Sequence, residues 1–325
     1  IDAQQEVLQQ QIATELGVSP VIAKILVQRG ITTFEEARLF FRPDLSQLHD
    51  PFLMKDMDKA VDRLNLALAK KEGILIYGDY DVDGTTAVAL VYTLLQRYTS
   101  NIDFYIPDRY TEGYGISYQG IDYAKSNGYS LIIALDCGIK AIEKVDYAKK
   151  LGIDFIICDR HTPDDELPQA VAVLDSKRSD CTYPYEHLSG CGVGFKLMQA
   201  FAQNNNIDFS RLKPLLDLVV VSIASDIVPI TGENRVLAYF GLKQLNENPR
   251  LGLKSIINLC GLANKDITIS DIVFKIGPRI NASGRIQSAR EVVELLVSRD
   301  ADFAREKSDC INNYNDERRN IDKQT

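Results

Sequence analysis

The stretch GILIYGDYDVDGTTAVAL at residues 73–90 joins a short apolar run to three closely spaced acids and a Gly-Thr-Thr segment. The run Ile74–Tyr77 has the length of a buried strand, and the residues that follow the acids have the composition of a helix. Four more apolar runs alternate with helix-like segments, at residues 104–106, 131–135, 155–158 and 170–174. Continuous apolar runs of this length are typical of a parallel sheet that helices cover on both faces. The sequence therefore predicts an α/β fold.

The two ends of the chain carry helix signals. Ser19 and Pro20 are a suitable N-cap and first-turn proline, and Thr33–Glu36 is a capping-box pattern. The last segment has apolar residues at helical spacing among many charges, and no glycine or proline ends it. We expect a helical N-terminal extension over residues 1–72 and the start of a long helix over residues 301–325, in a fragment of a longer protein.

Composition excludes several classes of protein. The hydrophobic content of 45% excludes a disordered chain, and the six cysteines form no C-x-x-C pair that would indicate a zinc knuckle. No apolar run approaches the length of a membrane span, so we expect a soluble, cytoplasmic protein without membrane contact. The net charge of −8 argues against a broad basic surface for nucleic acid, but it is compatible with a local site for divalent cations.

Acids follow most of the predicted strands. Asp79, Asp81 and Asp83 come after the first apolar run, and Asp136 and Asp159 come after two later runs. In open parallel sheets the ligand crevice lies outside the carboxyl ends of the strands, so these acids should converge there. Converging carboxylates repel one another unless cations lie between them, and oxygen ligands favour Mn²⁺ or Mg²⁺. The alternative for any one of them, Asp83 and Asp159 in particular, is a turn residue or helix N-cap.

Seven motifs carry a family resemblance. They are GDYDVDGTTA (78–87), PDRYTEGYG (107–115), ALDCGI (134–139), DRH (159–161), SGCGVGFKL (189–197), ASDIVP (224–229) and GPRINASGR (277–285). In order and spacing they resemble the DHH phosphoesterase superfamily, and three of them resemble its RecJ branch of bacterial single-stranded-DNA-specific 5′→3′ exonucleases. The resemblance implies a DHH domain over residues 73–300. It also implies that the family's second, DHH-associated domain and its oligonucleotide-binding domain lie outside this sequence.

The resemblance also implies which residues form the active site. It places metal-ligand positions at Asp81, Asp83, Asp136 and Asp226. By the same resemblance Asp136 would bridge two metals and would be catalytic. His161, beside the scissile phosphate, and Asp79, which supports the first motif, would also be catalytic. We expect the metal-ligand carboxylates to converge on one cleft.

Arg160 departs from the family pattern. It stands where the family has the first histidine of its Asp-His-His signature, a metal ligand. Arginine cannot coordinate a cation, and its charge would occupy the space of the second metal. We expect lost or much reduced activity and one bound cation where the family has two; the alternative is a working one-metal site in which the guanidinium substitutes for a charge. In the first case the guanidinium should lie within salt-bridge reach of Asp83, Asp136 or Asp226.

A further group of residues is predicted to bind substrate phosphates. It consists of Arg109, Ser189, Gly190, Arg279, Asn281, Ser283 and Arg285. The segment 277–285 has the composition of a glycine-bounded loop that could contact a DNA backbone, although a surface turn with solvated arginines explains an isolated segment equally well. Ser189 and Gly190 begin a glycine-rich helix whose free N–H groups could receive a phosphate, although close helix packing also requires glycine.

The resemblance implies a monomeric exonuclease that converts single-stranded DNA to 5′-mononucleotides with Mn²⁺ or Mg²⁺, in DNA repair and recombination. Its expected protein partners are a single-strand-binding protein and a helicase. One alternative is a phosphodiesterase for short oligonucleotides or cyclic dinucleotides. Another is a DNA-binding relative that has lost catalysis, which Arg160 would permit.

Overall fold

The structure is a computed structural model and describes residues 3–286 and 288–324. The chain forms two compact units, one up to Leu48 and one from His49 onward. The first two residues of the predicted extension and the last residue of the predicted terminal helix lie outside the described residues. The predicted boundaries at residues 72 and 300 stay predictions.

The N-terminal unit is helical, as the sequence predicts. It contains α1 (Ala3–Leu16), α2 (Pro20–Gln28) and α3 (Phe34–Phe41). The capping box is present, because the Thr33 side chain accepts from the Glu36 N–H while the Glu36 carboxylate accepts from the Thr33 N–H. Ile12, Ala23 and Leu26 form a small apolar core inside this unit.

The larger unit is built on a five-stranded sheet in which every pairing is parallel. The strands are β1 (Gly73–Gly78), β2 (Ile102–Tyr105), β3 (Tyr129–Leu135), β4 (Asp154–Cys158) and β5 (Ala172–Leu174). Their order in the sheet is β2-β1-β3-β4-β5. The three central strands are buried over most of their length, which explains why they read as continuous apolar runs. The predicted α/β fold is confirmed.

Helices cover both faces of this sheet. The helices of this unit, some of which pack on other helices, are α4 (Met57–Lys70), α5 (Val82–Leu95), α6 (Tyr118–Ser126), α7 (Ile142–Lys150), α8 (Gly190–Asn204), α9 (Leu216–Ser225), α10 (Gly232–Glu247), α11 (Leu251–Leu259), α12 (Ile269–Asp271), α13 (Gly277–Ile286), α14 (Arg290–Val297) and α15 (Ala301–Gln324). Helices α6 and α7 pack on one face against Leu75, Tyr77 and Phe155, whereas α5 and α8 contact β1 and β3 from the other. No helix among the described residues is long and apolar enough to cross a bilayer.

The segment 277–285 is helical, so its prediction as a loop is wrong. A π-helical turn over Ile272–Ile276 leads directly into α13, and Pro278 lies in the first turn, where its missing N–H is tolerated. The glycines at both ends serve close packing. A Cβ atom on Gly277 would lie 2.6 Å from Ser225 Oγ, and one on Gly284 would lie 2.6 Å from the Tyr80 carbonyl oxygen. The close approach at Gly284 places α13 against the acidic turn after β1.

Candidate active site

The turn between β1 and α5 carries the first two acids of the predicted site. Asp79 follows β1 directly, and Asp81 is the N-cap of α5, where its Oδ1 accepts a 2.9 Å hydrogen bond from the Gly84 N–H. A Cβ atom on Gly84 would lie 2.4 Å from the Asp79 carbonyl oxygen, so only glycine fits here without a backbone shift. This tight turn keeps both acids at the carboxyl edge of the sheet.

Asp83, in the first turn of α5, is held by hydrogen bonds from three other elements. Its carboxylate accepts from the N–H groups of Gly190 and Cys191 at 2.7 and 2.8 Å, at the start of α8. It also accepts from Ser222 Oγ at 2.7 Å and from Arg160 Nε at 3.2 Å. The N-terminal end of a helix attracts acidic groups, so the start of α8 helps to hold the Asp83 side chain in its buried position.

Asp136 occupies a strained position at the end of β3. Its φ angle is +57°, in the left-handed region that few residues other than glycine adopt, and its side chain is 1% exposed. Such conformations cost roughly 1–3 kcal/mol and persist where the surroundings enforce them, often at functional sites. Here the surroundings include Gly190, since a Cβ atom on that glycine would lie 2.4 Å from Asp136 Cβ.

This close approach makes Gly190→Ala a test of the packing around Asp136. We expect the substitution to lower the free energy of unfolding by about 1–3 kcal/mol, because the added methyl group must displace Asp136 or α8. Urea unfolding measures the change. Gly192→Ala on the same helix is the matched control, because its Cβ atom would be no closer than 3.3 Å to any neighbour. Equal stability of the two variants would contradict this account of the packing.

Arg160, directly after Asp159 at the end of β4, lies between three carboxylates. Its Nε is 3.2 Å from Asp83 Oδ2 and 3.2 Å from Asp136 Oδ1, and its Nη2 is 2.8 Å from Asp226 Oδ1. The contacts with Asp83 and Asp226 are hydrogen bonds, whereas the contact with Asp136 is an ion pair without hydrogen-bond geometry. Burial opposes the charged guanidinium, but the three carboxylates raise the pKa of Arg160 above its usual range. The expectation that Arg160 lies within salt-bridge reach of these acids is confirmed.

His161 lies beside this cluster. Its Nδ1 is 2.7 Å from Asp159 Oδ1, and this hydrogen bond raises the pKa of His161 although burial opposes the shift. Asp159 also accepts from the Ile139 N–H at 2.9 Å. The Tyr114 hydroxyl is 3.4 Å from the ring nitrogens of His161. Asp136, Asp159 and His161 each offer a ligand atom, and these atoms lie within 4.8 Å of one another.

The electrostatics of the cleft favour a bound cation. Burial, together with repulsion by Asp81, raises the pKa of Asp79 to about 7. Burial, together with repulsion by Asp83, raises the pKa of Asp226 to about 7 and that of Asp136 well above its usual range. Among the described residues, three buried carboxylate oxygens of the cleft accept no hydrogen bond: Asp79 Oδ1, Asp136 Oδ1 and Asp226 Oδ2. Unsatisfied carboxylate oxygens fit a hard divalent cation such as Mn²⁺ or Mg²⁺.

Residues 73–223, which contain the sheet and most of the acids described above, match the profile of the DHH family, N-terminal domain. Residues 73–223 therefore form a domain of the DHH type. The similarity of the chain to individual proteins extends well beyond the matched domain.

Two relatives and one solved structure define this similarity. The chain is 41% identical over 310 residues to the single-stranded-DNA-specific exonuclease RecJ of Bacillus subtilis, covering 95% of this chain and 39% of that protein. It is 32% identical over 314 residues to RecJ of Escherichia coli, covering 93% of this chain and 54% of that protein. A crystal structure of exonuclease RecJ bound to manganese superimposes with a TM-score of 0.78 at 27% identity, covering 86% of this chain and 70% of the other. The chain thus spans about half the length, or less, of these two relatives.

The arginine predicted to bind substrate in the PDRYTEGYG motif lies next to the DHH acidic turn. The guanidinium of Arg109 stacks over the Tyr80 ring, 5.0 Å from its centroid. Glu112 fixes the loop, because its carboxylate accepts from the Asp108 N–H and from the hydroxyl groups of Tyr105 and Ser117. Arg109 is therefore held beside the cleft by a stacked ring and an ordered loop.

The other predicted substrate-binding residues of this DHH domain have different surroundings. Ser189 is fully buried, where its Oγ accepts from the Gly192 N–H and lies 2.6 Å from Ser222 Oγ, and the Gly190 N–H is used by Asp83. Both residues thus support Asp83, and their part in substrate binding stays a prediction. On α13, Arg279 donates to the Asn312 side chain and the Lys275 carbonyl, and Ser283 donates to the Ser288 carbonyl.

The remaining two predicted residues of α13 are not fully buried. Arg285 is exposed, and its carbonyl oxygen accepts a 2.6 Å hydrogen bond from the Tyr110 hydroxyl. Asn281 is partly exposed. Because Gly284 contacts the Tyr80 carbonyl, the end of α13 that carries Arg285 lies close to the acidic turn of the DHH domain. The role of this helix in substrate binding also stays a prediction.

Sequence reasoning missed one residue that organises the DHH cleft and left the role of another open. Ser222, which donates to Asp83, lies four residues before Asp226, so the two share one side of the helical end. The spacing of four residues between Ser222 and Asp226 was the signal in the sequence for the role of Ser222. The sequence left Asp159 open as a turn residue, but the structure pairs it with His161. Its position at the end of the strand next to β3 was the signal for this role.

Proposed function

We propose that this chain is the nuclease portion of a RecJ-type exonuclease, which hydrolyses single-stranded DNA from the 5′ end to 5′-mononucleotides and depends on Mn²⁺ or Mg²⁺. The main support is the convergence of Asp83, Asp136 and Asp226 at the carboxyl edge of the sheet, within 3.2 Å of one side chain, Arg160. These acids come from three distant parts of the sequence. The identity of 41% to the Bacillus subtilis exonuclease RecJ makes single-stranded DNA the first substrate to test.

In the DHH pattern the carboxylates of Asp81, Asp83, Asp136 and Asp226 would hold the cations, with Asp79 behind them; in this chain Arg160 contacts three of these carboxylates. A divalent cation bound there would supply positive charge that polarises the phosphodiester and stabilises the developing negative charge. The protein would contribute orientation. Asp159 holds Nδ1 of His161, which leaves Nε2 to donate to a phosphate oxygen when the ring is protonated.

Arg109 would bind the DNA backbone beside the cleft. Its guanidinium lies over the Tyr80 ring, so less side-chain freedom is lost when a phosphate binds. The net charge of −8 gives the protein little general attraction to phosphates. Binding would then depend on a narrow groove that admits one strand. From the similarity to RecJ we also expect a cytoplasmic, monomeric protein that works with a single-strand-binding protein and a helicase.

The specific observation that favours a second candidate function is the position of Arg160. Its guanidinium already neutralises carboxylates that would hold a cation. A relative that binds single-stranded DNA without hydrolysing it is therefore the second candidate.

Hydrolysis of a 5′-labelled single strand and of a blunt duplex of the same sequence tests the proposed function. The chain and its Arg160→His variant are first treated with a chelator and then supplied with Mn²⁺. We expect 5′-mononucleotides from the single strand, at a rate at least about tenfold above that from the duplex, because a narrow groove would admit one strand only. A dinucleotide substrate separates the exonuclease from a phosphodiesterase for short substrates. Equal cleavage of duplex and single strand would contradict the proposal, as would no Mn²⁺-dependent hydrolysis by either protein.

A further inference from the structure

The central feature of the cleft is a fixed positive charge at the place where its carboxylates meet. Asp83, Asp136 and Asp226 lie on α5, after β3 and after α9, and all three contact the one guanidinium of Arg160. The Arg160 side chain is 19% exposed, and Asp83 and Asp136 are each 1% exposed. The charges of a buried acidic cluster are therefore partly balanced by the protein itself.

A guanidinium at this place excludes a metal ion from the same oxygens. Arg160 has only donors and cannot coordinate a cation, and its hydrogen bonds already engage one oxygen each of Asp83 and Asp226. A second positive charge within a few ångströms would also be repelled, because the buried site screens charges weakly. The carboxylates that contact Arg160 can thus be balanced by the arginine or by a metal ion, but not by both.

Other carboxylates of the cleft remain available for a cation. Asp79 is 1% exposed, and its Oδ1 accepts no hydrogen bond among the described residues. Asp81 lies two residues further on, and the structure shows no ion pair between it and Arg160. This part of the cleft has an unsatisfied buried oxygen and no fixed positive charge in contact with it, which are the properties of a single cation site.

We propose that Arg160 takes the place of one of two divalent cations, so that this chain binds a single cation on the side of Asp79 and Asp81. This proposal depends on the proposed function only in naming DNA hydrolysis as the reaction that the cation serves. It can be tested by counting metal ions in the absence of DNA, so its failure is distinguishable from a failure of the nuclease proposal.

A count of bound Mn²⁺ tests the proposal. The chelator-treated chain and its variants are titrated with Mn²⁺, bound metal is measured by equilibrium dialysis, and pairs of neighbouring ions are detected by spin coupling in electron paramagnetic resonance. We expect one Mn²⁺ for the unchanged chain and an uncoupled spectrum. Arg160→His should bind two, with a coupled spectrum, because the imidazole can coordinate and the three carboxylates are released. Arg160→Lys, which keeps the charge and cannot coordinate while protonated, should bind one.

Arg63→His is the matched control for an arginine held between carboxylates. Arg63 contacts Glu72 at 2.6 Å and Asp154 at 2.7 Å, at the amino end of the strands. We expect this variant to bind one Mn²⁺, as the unchanged chain does. A second Mn²⁺ in Arg63→His as well would overturn the assignment to Arg160, because any histidine between two acids would then be sufficient.

The unchanged chain keeps the proposal falsifiable if Arg160→His does not fold. Two coupled Mn²⁺ ions, or none, in the unchanged chain would overturn it without any variant. One Mn²⁺ in a folded Arg160→His variant would also overturn it. Circular dichroism identifies which variants are folded, and Arg160→Gln provides a second variant that removes the charge. We expect Arg160→Gln to bind Mn²⁺ at the vacated position at least tenfold more weakly than Arg160→His does.

Discussion

Arg160→His is expected to raise the turnover of single-stranded DNA in Mn²⁺ by about a hundredfold or more, which corresponds to about 2.7 kcal/mol of transition-state stabilisation. The guanidinium of Arg160 contacts three carboxylates of the cleft and so prevents a metal ion from binding to them. A histidine releases these oxygens and adds a nitrogen ligand. Two cations can stabilise the attacking and the leaving oxygen of a displacement, whereas one cation cannot do both.

Quenched-flow measurement of nucleotide release at saturating Mn²⁺ gives the turnover rate. Arg160→Lys should show no rise, because lysine keeps the positive charge. Arg63→His, the arginine variant at the opposite edge of the sheet, should hydrolyse at the rate of the unchanged chain. If Arg160→His alters neither the rate nor the metal count, Arg160 belongs to a working one-metal site.

Asp136→Asn is expected to lower Mn²⁺-dependent hydrolysis by about a thousandfold or more, about 4 kcal/mol in activation free energy, because it removes a buried negative charge from the cleft, next to Arg160 and the proposed cation. Asparagine adopts the left-handed conformation at least as readily as aspartate, so the +57° φ angle at this position is compatible with folding of the variant. The loss of activity would then report the loss of a carboxylate and not a collapsed strand end.

The control for Asp136→Asn is Asp154→Asn. Asp154 begins β4, at the opposite edge of the sheet from the acids, and pairs with Arg63. Hydrolysis within about threefold of the parent rate is expected for this variant, since a partly exposed ion pair contributes only about 0–1 kcal/mol to stability. Circular dichroism and urea unfolding show whether each variant is folded. Retained hydrolysis in Asp136→Asn would exclude this carboxylate from the active site.

The sequence was sufficient for the sheet and for the meeting of the acids, because both follow from local rules. Apolar runs such as Leu131–Leu135 can be buried on both faces only in a parallel sheet, and the carboxyl ends of parallel strands share one edge. That edge holds Asp79, Asp136 and Asp159 in the structure. The position of Arg160 also followed, because an arginine next to a strand-end acid must satisfy its charge among the nearest carboxylates.

Tertiary packing decided the features that the sequence could not reveal. Gly277 and Gly284 suggested a loop, but they allow α13 to approach Ser225 and the Tyr80 carbonyl, which depends on elements distant in sequence. Ser189 and Gly190 suggested a phosphate site at a helix N-terminus. The structure directs that N-terminus at the buried side chain of Asp83, which accepts from the Gly190 and Cys191 N–H groups.

We propose above that the acids of the cleft around Arg160 form a cation-dependent nuclease centre. The most direct test is the rate of 5′-mononucleotide release from labelled single-stranded DNA in Mn²⁺ by the Arg160→His chain and by the Arg160→His, Asp136→Asn double variant. We expect the Arg160→His chain to release nucleotides at least about a hundredfold faster than the unchanged chain does. We expect the double variant to lose that gain. Equal rates in these two variants would contradict the proposal, because hydrolysis would then not depend on Asp136.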